Sequence, residues 1–333
     1  MNNPLVSVVI ITRNRAKGLR RCIKSILNNT YKDIELVIFD NSSPEPMKRN
    51  EEFLSSLEFE NIKYIKSSPK GFAEMRQIAI ENSEGEIIMS IDDDCVAEKD
   101  AIVQMVRCFM SDGSIGIVGA NKTNIGFTGK NKLKGRAKIG VNGRYELVQD
   151  PQDAEIFGND SMSIRREAFD KVGGYDPFFS GGLEEADLTL SIKEEGYKIV
   201  YEPSVKITHF YTPTRFRPPG RNMEMHRLYL FFKHYMPSNI TDWVKFFSSE
   251  LKLLVQDINR LIPKSVSGKR STEAHTNVYR NGRNFFEYLK VSYSIFRKLS
   301  KLIIARMVIP YLIYRACKAR SQNEKRQHGD LKV

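Results

Sequence analysis

Short β-branched runs alternate with amphipathic stretches over the first hundred residues, a pattern that predicts a parallel sheet covered by helices. The predicted strands are Val6 to Thr12, Ile34 to Phe39, Ile62 to Lys66 and Glu86 to Ile91. Between them, Lys17 to Leu27 places Leu19, Cys22, Ile23, Ile26 and Leu27 on one helical face. Gly71 to Glu81 does the same with Phe72, Met75, Ile78 and Ala79, so both read as crossover helices. A further helix carries Ile102, Val103, Val106 and Phe109 at core spacing and leads into a strand at Ile115 to Val118.

The pattern then weakens. Across residues 121–155, Lys130, Lys132, Lys134, Arg136 and Lys138 alternate with smaller or apolar positions, which predicts a ribbon or loop with one basic face. Order resumes over residues 161–209: a strand, a helix at Arg166 to Val172, the turn Gly173-Gly174, a helix at Glu184 to Glu195, and strands at Lys198 to Tyr201 and Val205 to His209. Pro213, Pro218, Pro219 and Gly220 mark a boundary. The expected domains are residues 1–212, with halves of about 1–120 and 121–212, and a helical region over 213–333. That region is expected to hold helices at Met225 to Tyr235, Thr241 to Ile258, Tyr279 to Phe296 and Lys298 to Arg315.

Charge separates the two parts. Residues 1–209 hold 28 Lys and Arg against 32 Asp and Glu, whereas residues 210–333 hold 24 against 8, so a net −4 is joined to a net +16. Such asymmetry suits a near-neutral domain linked to a segment that meets a polyanion. Aromatics crowd beside Lys and Arg in the basic part, which fits either a helix lying on anionic lipid or helices packed on the rest of the chain. No nucleic-acid module is recognisable, so no nucleic acid is expected as a partner. The apolar stretch near Leu302 to Tyr314 is broken by Arg306 and Pro310 and is too short to span a membrane. Four cysteines without C-x-x-C spacing suggest a reducing, cytoplasmic setting, and the opening segment reads as a strand and not as a signal peptide.

In a parallel α/β sheet, ligands gather beyond the carboxyl ends of the strands. Those ends deliver Thr12-Arg13-Asn14-Arg15, Asp40-Asn41-Ser42-Ser43 and Asp92-Asp93-Asp94. No glycine-rich dinucleotide or P-loop fingerprint follows any strand. Three consecutive aspartates repel one another unless a cation compensates them, and Mg2+ or Mn2+ commonly bridges such carboxylates to phosphate. A second acidic pair, Glu184-Glu185, opens a helix after Gly181-Gly182, a position from which a general base could approach a bound substrate. Ordinary first-turn enrichment would put acidic residues in the same place.

Taken in order, these stretches resemble the inverting glycosyltransferases of family 2, which have the GT-A fold. The resembling segments are VSVVIITRNR, ELVIFDNSS, GFAEMRQIAIENSEGEIIMSIDDDC, FGNDSMSIRREAFDKVGGYDPFF and GGLEEADLTLSIKEEGYKIVYEPSVKITH, together spanning residues 5–209. The resemblance implies a Rossmann-like, mostly parallel sheet flanked by helices and followed by the basic helical region. It implies that Thr12, Asn14, Arg15 and Arg76 lie along the nucleotide and that Asp40 hydrogen-bonds the base. Asp92 and Asp94 match the DXD motif, with Asp94 the direct metal ligand, Asp92 nearer the ribose or sugar and Asp93 the variable middle position. His209 matches a histidine that completes the Mn2+ or Mg2+ site in some members, and Asn159 and Asp160 border the donor sugar and acceptor.

Where the family usually has Glu-Asp, this chain has Glu184-Glu185. Glu185 occupies the aspartate position and is the expected base, with Glu184 and Asp187 as the alternatives. The implied reaction moves a sugar from a UDP- or dTDP-linked donor to a hydroxyl of a glycan or lipid-linked acceptor in envelope polysaccharide or glycoconjugate synthesis, with inversion. A catalytically inactive glycan-binding protein of the same fold and a nucleotidyltransferase remain alternatives. The expected location is the cytoplasm, with peripheral attachment to an anionic membrane surface open.

Overall fold

The computed structural model describes residues 3–68, 70–126, 136–140, 143–211, 223–261 and 309–327. These fall into two compact units: residues 3–140, 144–223 and 325–327 in the first, and Gly143, 224–261 and 309–324 in the second. The first unit is built on an eight-stranded sheet.

Four parallel strands form its start: β1 (Val6–Thr12), β2 (Ile34–Asp40), β3 (Ile62–Lys66) and β4 (Ile87–Asp92), in the spatial order β3-β2-β1-β4. Every residue of β2 is buried, as expected of a strand covered on both faces. The pleat divides β1 between the faces: Val6, Val8 and Ile10 join one apolar cluster and Val9 the other. On the first face lie α1 (Ala16–Leu27), α2 (Pro44–Ser55) and α4 (Ala101–Ser111). The other face is covered by α3 (Phe72–Glu81), α5 (Arg166–Val172) and α6 (Glu184–Glu194).

The sheet continues through β10 (Met162–Arg165), which runs antiparallel to both β4 and β6 (Ile115–Ile125). Next comes β11 (Lys198–Phe210), parallel to β6, and the short β5 (Cys95–Ala97) pairs antiparallel at its outer edge. The two separate strands expected over residues 198–209 are thus one, interrupted by a register shift between Glu202 and Lys206. Pro203 lies inside that shift, where a missing N–H does not break the ladder. A second small sheet joins β7 (Arg136–Ile139), β8 (Tyr145–Leu147) and β9 (Ile156–Phe157) in the order β8-β7-β9. It corresponds to the expected ribbon; Lys130, Lys132 and Lys134 lie outside the described residues.

Helix α2 was not anticipated. Its sequence, PEPMKRNEEFLS, holds too few apolar residues to reveal a face, although Pro at its first position is a helix-start signal. In the second unit α7 (Met223–His234) and α8 (Ile240–Leu261) lie close to the expected positions, and α9 (Ile309–Gln327) runs well past Arg315. The helix expected at Tyr279 to Phe296 and the boundary over residues 212–220 fall outside the described residues. Among the described residues, no helix is long and apolar enough to cross a membrane.

Candidate active site

A cavity of about 490 Å³ opens beyond the carboxyl ends of β1 and β4. Its lining includes Thr12, Arg15, Arg76, Asp92, Asp93, Asn159, Asp160, Glu184 and Glu185, nine of the fourteen residues expected at a site. They come from β1, α3, β4, the turn before β10 and the start of α6, segments up to 173 residues apart that the sheet order brings together.

The three aspartates point in three directions. Asp92 Oδ1 accepts from Arg76 Nη2 at 3.2 Å. Asp93 accepts from Thr12 Oγ1 at 2.7 Å and from Arg15 Nη1 at 2.9 Å, and burial pushes its carboxyl up to about 7 against the pull of Arg15. Asp94 Oδ2 takes the same Arg15 nitrogen at 2.8 Å. Arg15 thus ties the first strand's loop to two of the three carboxylates and offsets their repulsion.

His209 reaches this cluster through strand pairing. After the Asp93-Asp94 turn, β5 crosses to the far edge and pairs with the end of β11, with Cys95 opposite His209. His209 Nε2 then lies 3.2 Å from Asp94 Oδ1, and its Nδ1 lies 3.3 Å from Asp160 Oδ2. Burial opposes a charged imidazole, but the bond to Asp94 and the charge of Asp160 prevail and raise its pKa. Ligand atoms of Asp94, Cys95 and His209 all lie within 4.8 Å of one another. Burial pushes the Cys95 thiol far above its usual range, so it stays protonated and is a poor ligand for a hard cation. The carboxylate and imidazole are donors that fit a divalent ion. Asp92, expected to share the metal, lies outside this group with its carboxylate turned to Arg76.

Arg76 joins the two sides of the cavity. Besides Asp92 it donates to Glu184 Oε1 at 3.2 Å, and Asn159 Nδ2 donates to the same oxygen at 3.3 Å. Asn159 is itself held by Tyr175, whose hydroxyl donates to its Oδ1 at 2.6 Å. Among the described residues, Glu184 Oε2 is buried without a hydrogen-bond partner. The neighbouring Glu185 is only half-buried and accepts from the Tyr145 hydroxyl at 2.8 Å. Burial raises both carboxyls, and for Glu184 the nearby Glu185 adds to it. Both follow Leu183, which has φ of 72°. A left-handed backbone at a bulky residue is a strained feature of a kind that clusters at functional sites.

Five expected residues do not line the cavity. Asp40 is fully buried: Ser42 N donates to its Oδ1 at 2.8 Å, and Asn50 Nδ2 and Tyr64 OH donate to its Oδ2 at 2.7 Å each. The unanticipated α2 supplies Asn50, which is why the sequence could not reveal this carboxylate's internal partners. Its neighbour Asn41 does line the cavity, with a buried Oδ1 that has no hydrogen-bond partner among the described residues. Asn14 binds the second loop instead, accepting from Ser43 N at 2.8 Å. Asp187 is buried one turn into α6, and Asp94 and His209 lie behind the lining.

Residues that sequence reasoning missed include Tyr145 and Lys122, whereas Asn41 stood among those delivered by the end of the second strand without a role of its own. Lys122, on β6, is buried and donates to Asp160 Oδ1 at 2.6 Å. A lone lysine or tyrosine in a polar stretch carries no local signal. Only the partner across the cavity identifies it.

The family model for Glycosyl transferase family 2 matches residues 7–173. Among curated relatives, the uncharacterized protein y4gI of Sinorhizobium fredii is 26% identical over 234 residues, which is 64% of this chain and 25% of that protein. The chain is also 24% identical over 221 residues to the glucosyl-dolichyl phosphate glucuronosyltransferase of Haloferax volcanii, covering 61% of this chain and 68% of the relative. Among solved structures, a Pyrobaculum calidifontis mannosyltransferase in complex with GDP-Man and Mn2+ superposes with a TM-score of 0.53 at 17% identity, covering 93% of this chain and 88% of that one. The ordered strands, the cavity beyond their carboxyl ends and the match over half of its length together mean that this chain belongs to glycosyl transferase family 2 and carries its GT-A fold.

Proposed function

We propose that this chain transfers a sugar from a nucleotide-diphosphate donor to a hydroxyl of a glycan or lipid-linked acceptor, with inversion at the anomeric carbon. The observation that carries the reading is the division of one cavity between a cationic, aspartate-bearing side on β1, β4 and α3 and a glutamate pair on α6. The donor lies along Thr12, Arg15 and Arg76, and Asn41, which lines the cavity where Asp40 does not, takes over as the side chain that meets the base. Asp94 and His209 hold a divalent ion, for which Mn2+ in the structurally similar mannosyltransferase is a precedent. When bound, the ion offsets charge on the departing diphosphate.

Glu185 is the base. Its half-exposed carboxylate faces the cavity, whereas Glu184 is buried and bound by Arg76 and Asn159. Glu185 accepts the proton of the acceptor hydroxyl as that oxygen attacks the anomeric carbon, and the bond to the diphosphate breaks on the opposite face. Arg76, already placed between Asp92 and Glu184, compensates negative charge on the leaving group. Lys122 and Asp160 border the sugar and keep its pocket polar.

A lipid-linked acceptor is supported by the Haloferax relative, named for glucosyl-dolichyl phosphate, and by the net +16 of residues 210–333. A cytoplasmic setting is supported by four free cysteines, two of them fully buried. Calorimetric titration with UDP, dTDP and GDP, with and without Mn2+, tests the donor site. One nucleotide binding only with Mn2+ is the expected outcome, followed by release of that nucleoside diphosphate from the matching sugar donor. Release of pyrophosphate would indicate a nucleotidyltransferase, and binding without turnover on any donor would indicate an inactive relative.

A further inference from the structure

The second unit exposes an apolar stripe that its own packing does not use. On α8, Ile240, Val244, Phe247 and Leu251 are 78%, 57%, 55% and 63% exposed, and their 4-3-4 spacing puts them on one helical face. The roll of the helix is set by the neighbouring face. There Phe246 stacks on Phe231 of α7 at 4.6 Å, and Glu250 takes a bidentate pair from Arg227 at 2.8 Å for both bonds. A buried Arg–carboxylate fork tolerates little rotation, so the stripe is held outward by design of the packing. The exposed Lys245 and Lys252 lie on the polar side of the stripe, from which long side chains can reach a charged layer.

We infer that this face of α8 lies on an anionic lipid surface. A contiguous apolar stripe on a helix surface marks an interaction site, and the charge of the surrounding sequence selects the partner. Residues 210–333 carry a net +16, which attracts phosphate headgroups and repels basic partners. On α9, Tyr311 and Tyr314 are 50% and 64% exposed beside the exposed Lys318, a pairing of aromatic and cation suited to a membrane interface. The inference deepens the proposed use of a lipid-linked acceptor, since a chain lying on the bilayer meets that acceptor where it resides.

The test is sedimentation of the full chain with vesicles of phosphatidylglycerol and phosphatidylcholine, against vesicles of phosphatidylcholine alone. The parent is expected to bind the anionic vesicles, and the Phe247→Asp/Leu251→Asp variant to bind them at least about tenfold more weakly. Phe247→Trp retains binding, and the milder Ile240→Ser weakens it in a chain with unchanged circular dichroism. Mn2+-dependent nucleotide binding, measured on the same samples, reports the catalytic reading separately. Equal binding by parent and Asp variant overturns the inference, as does a parent that ignores anionic vesicles. A parent that self-associates while the variant is monomeric assigns the stripe to a second copy of the chain.

Discussion

Tyr145 and Glu185, forty residues apart in sequence, meet through a 2.8 Å hydrogen bond from the phenol to Oε1. The small sheet carries Tyr145 to the cavity and α6 carries Glu185, so the bond joins two separately built elements. It distinguishes two adjacent glutamates by their surroundings. Glu184 is buried and gripped by a cation and an amide, whereas Glu185 is half-buried and meets the phenol.

Replacement of Glu185 by Gln would remove the proposed proton acceptor and leave the donor side intact. The variant should lose roughly 10²- to 10⁴-fold in kcat while its nucleotide affinity stays within about twofold of the parent. Steady-state kinetics beside calorimetry checks this; full activity would transfer the role to Glu184.

As the proposed base, the same carboxyl is expected to set the acid side of the pH profile. Burial raises it, and the base must be ionised, so kcat should fall with decreasing pH from a point above the ordinary glutamate value of about 4.3. The Tyr145 bond favours the ionised form, so Tyr145→Phe should move that limb to higher pH. A tyrosine that served only to support the sheet would lower stability and leave the limb in place.

Asp94 is expected to be a direct ligand. Outer-shell partners of bound metals commonly contribute 10- to 100-fold in affinity, so Asp94→Ala should weaken Mn2+ binding by more than roughly 100-fold. Electron paramagnetic resonance of free Mn2+ measures the bound fraction without any turnover. Undiminished binding would remove Asp94 and His209 from the site.

In the second unit, Arg227 and Glu250 are 4% and 7% exposed at the side chain. Glu250→Ala takes the bidentate carboxylate away from a buried guanidinium and should destabilise that unit by about 3–5 kcal/mol. Replacing both by apolar residues, Arg227→Met with Glu250→Leu, should recover most of the loss. Urea denaturation of the three chains distinguishes the outcomes.

Much of the first unit was legible because parallel strands buried on both faces read as apolar runs and amphipathic crossover helices show their core face. The aspartates at the end of β4 and the glutamates opening α6 stood out because acidic runs at element ends are locally visible. Helix α2 was silent for lack of an apolar face, and with it went the partners of Asp40.

The sequence by itself determined the first four strands with the crossover helices α1 and α3, the positions of the acidic clusters and the charge asymmetry, since each depends on periodicity or composition within a few residues. Only the tertiary structure decided what those clusters touch. Cys95 had to pair with His209 before the histidine could meet Asp94, and β8 had to fold before Tyr145 could reach Glu185. The physical reason is range: propensity and amphipathicity act over one or two turns, whereas hydrogen bonds and ion pairs act at about 3 Å between residues that only the sheet order brings together.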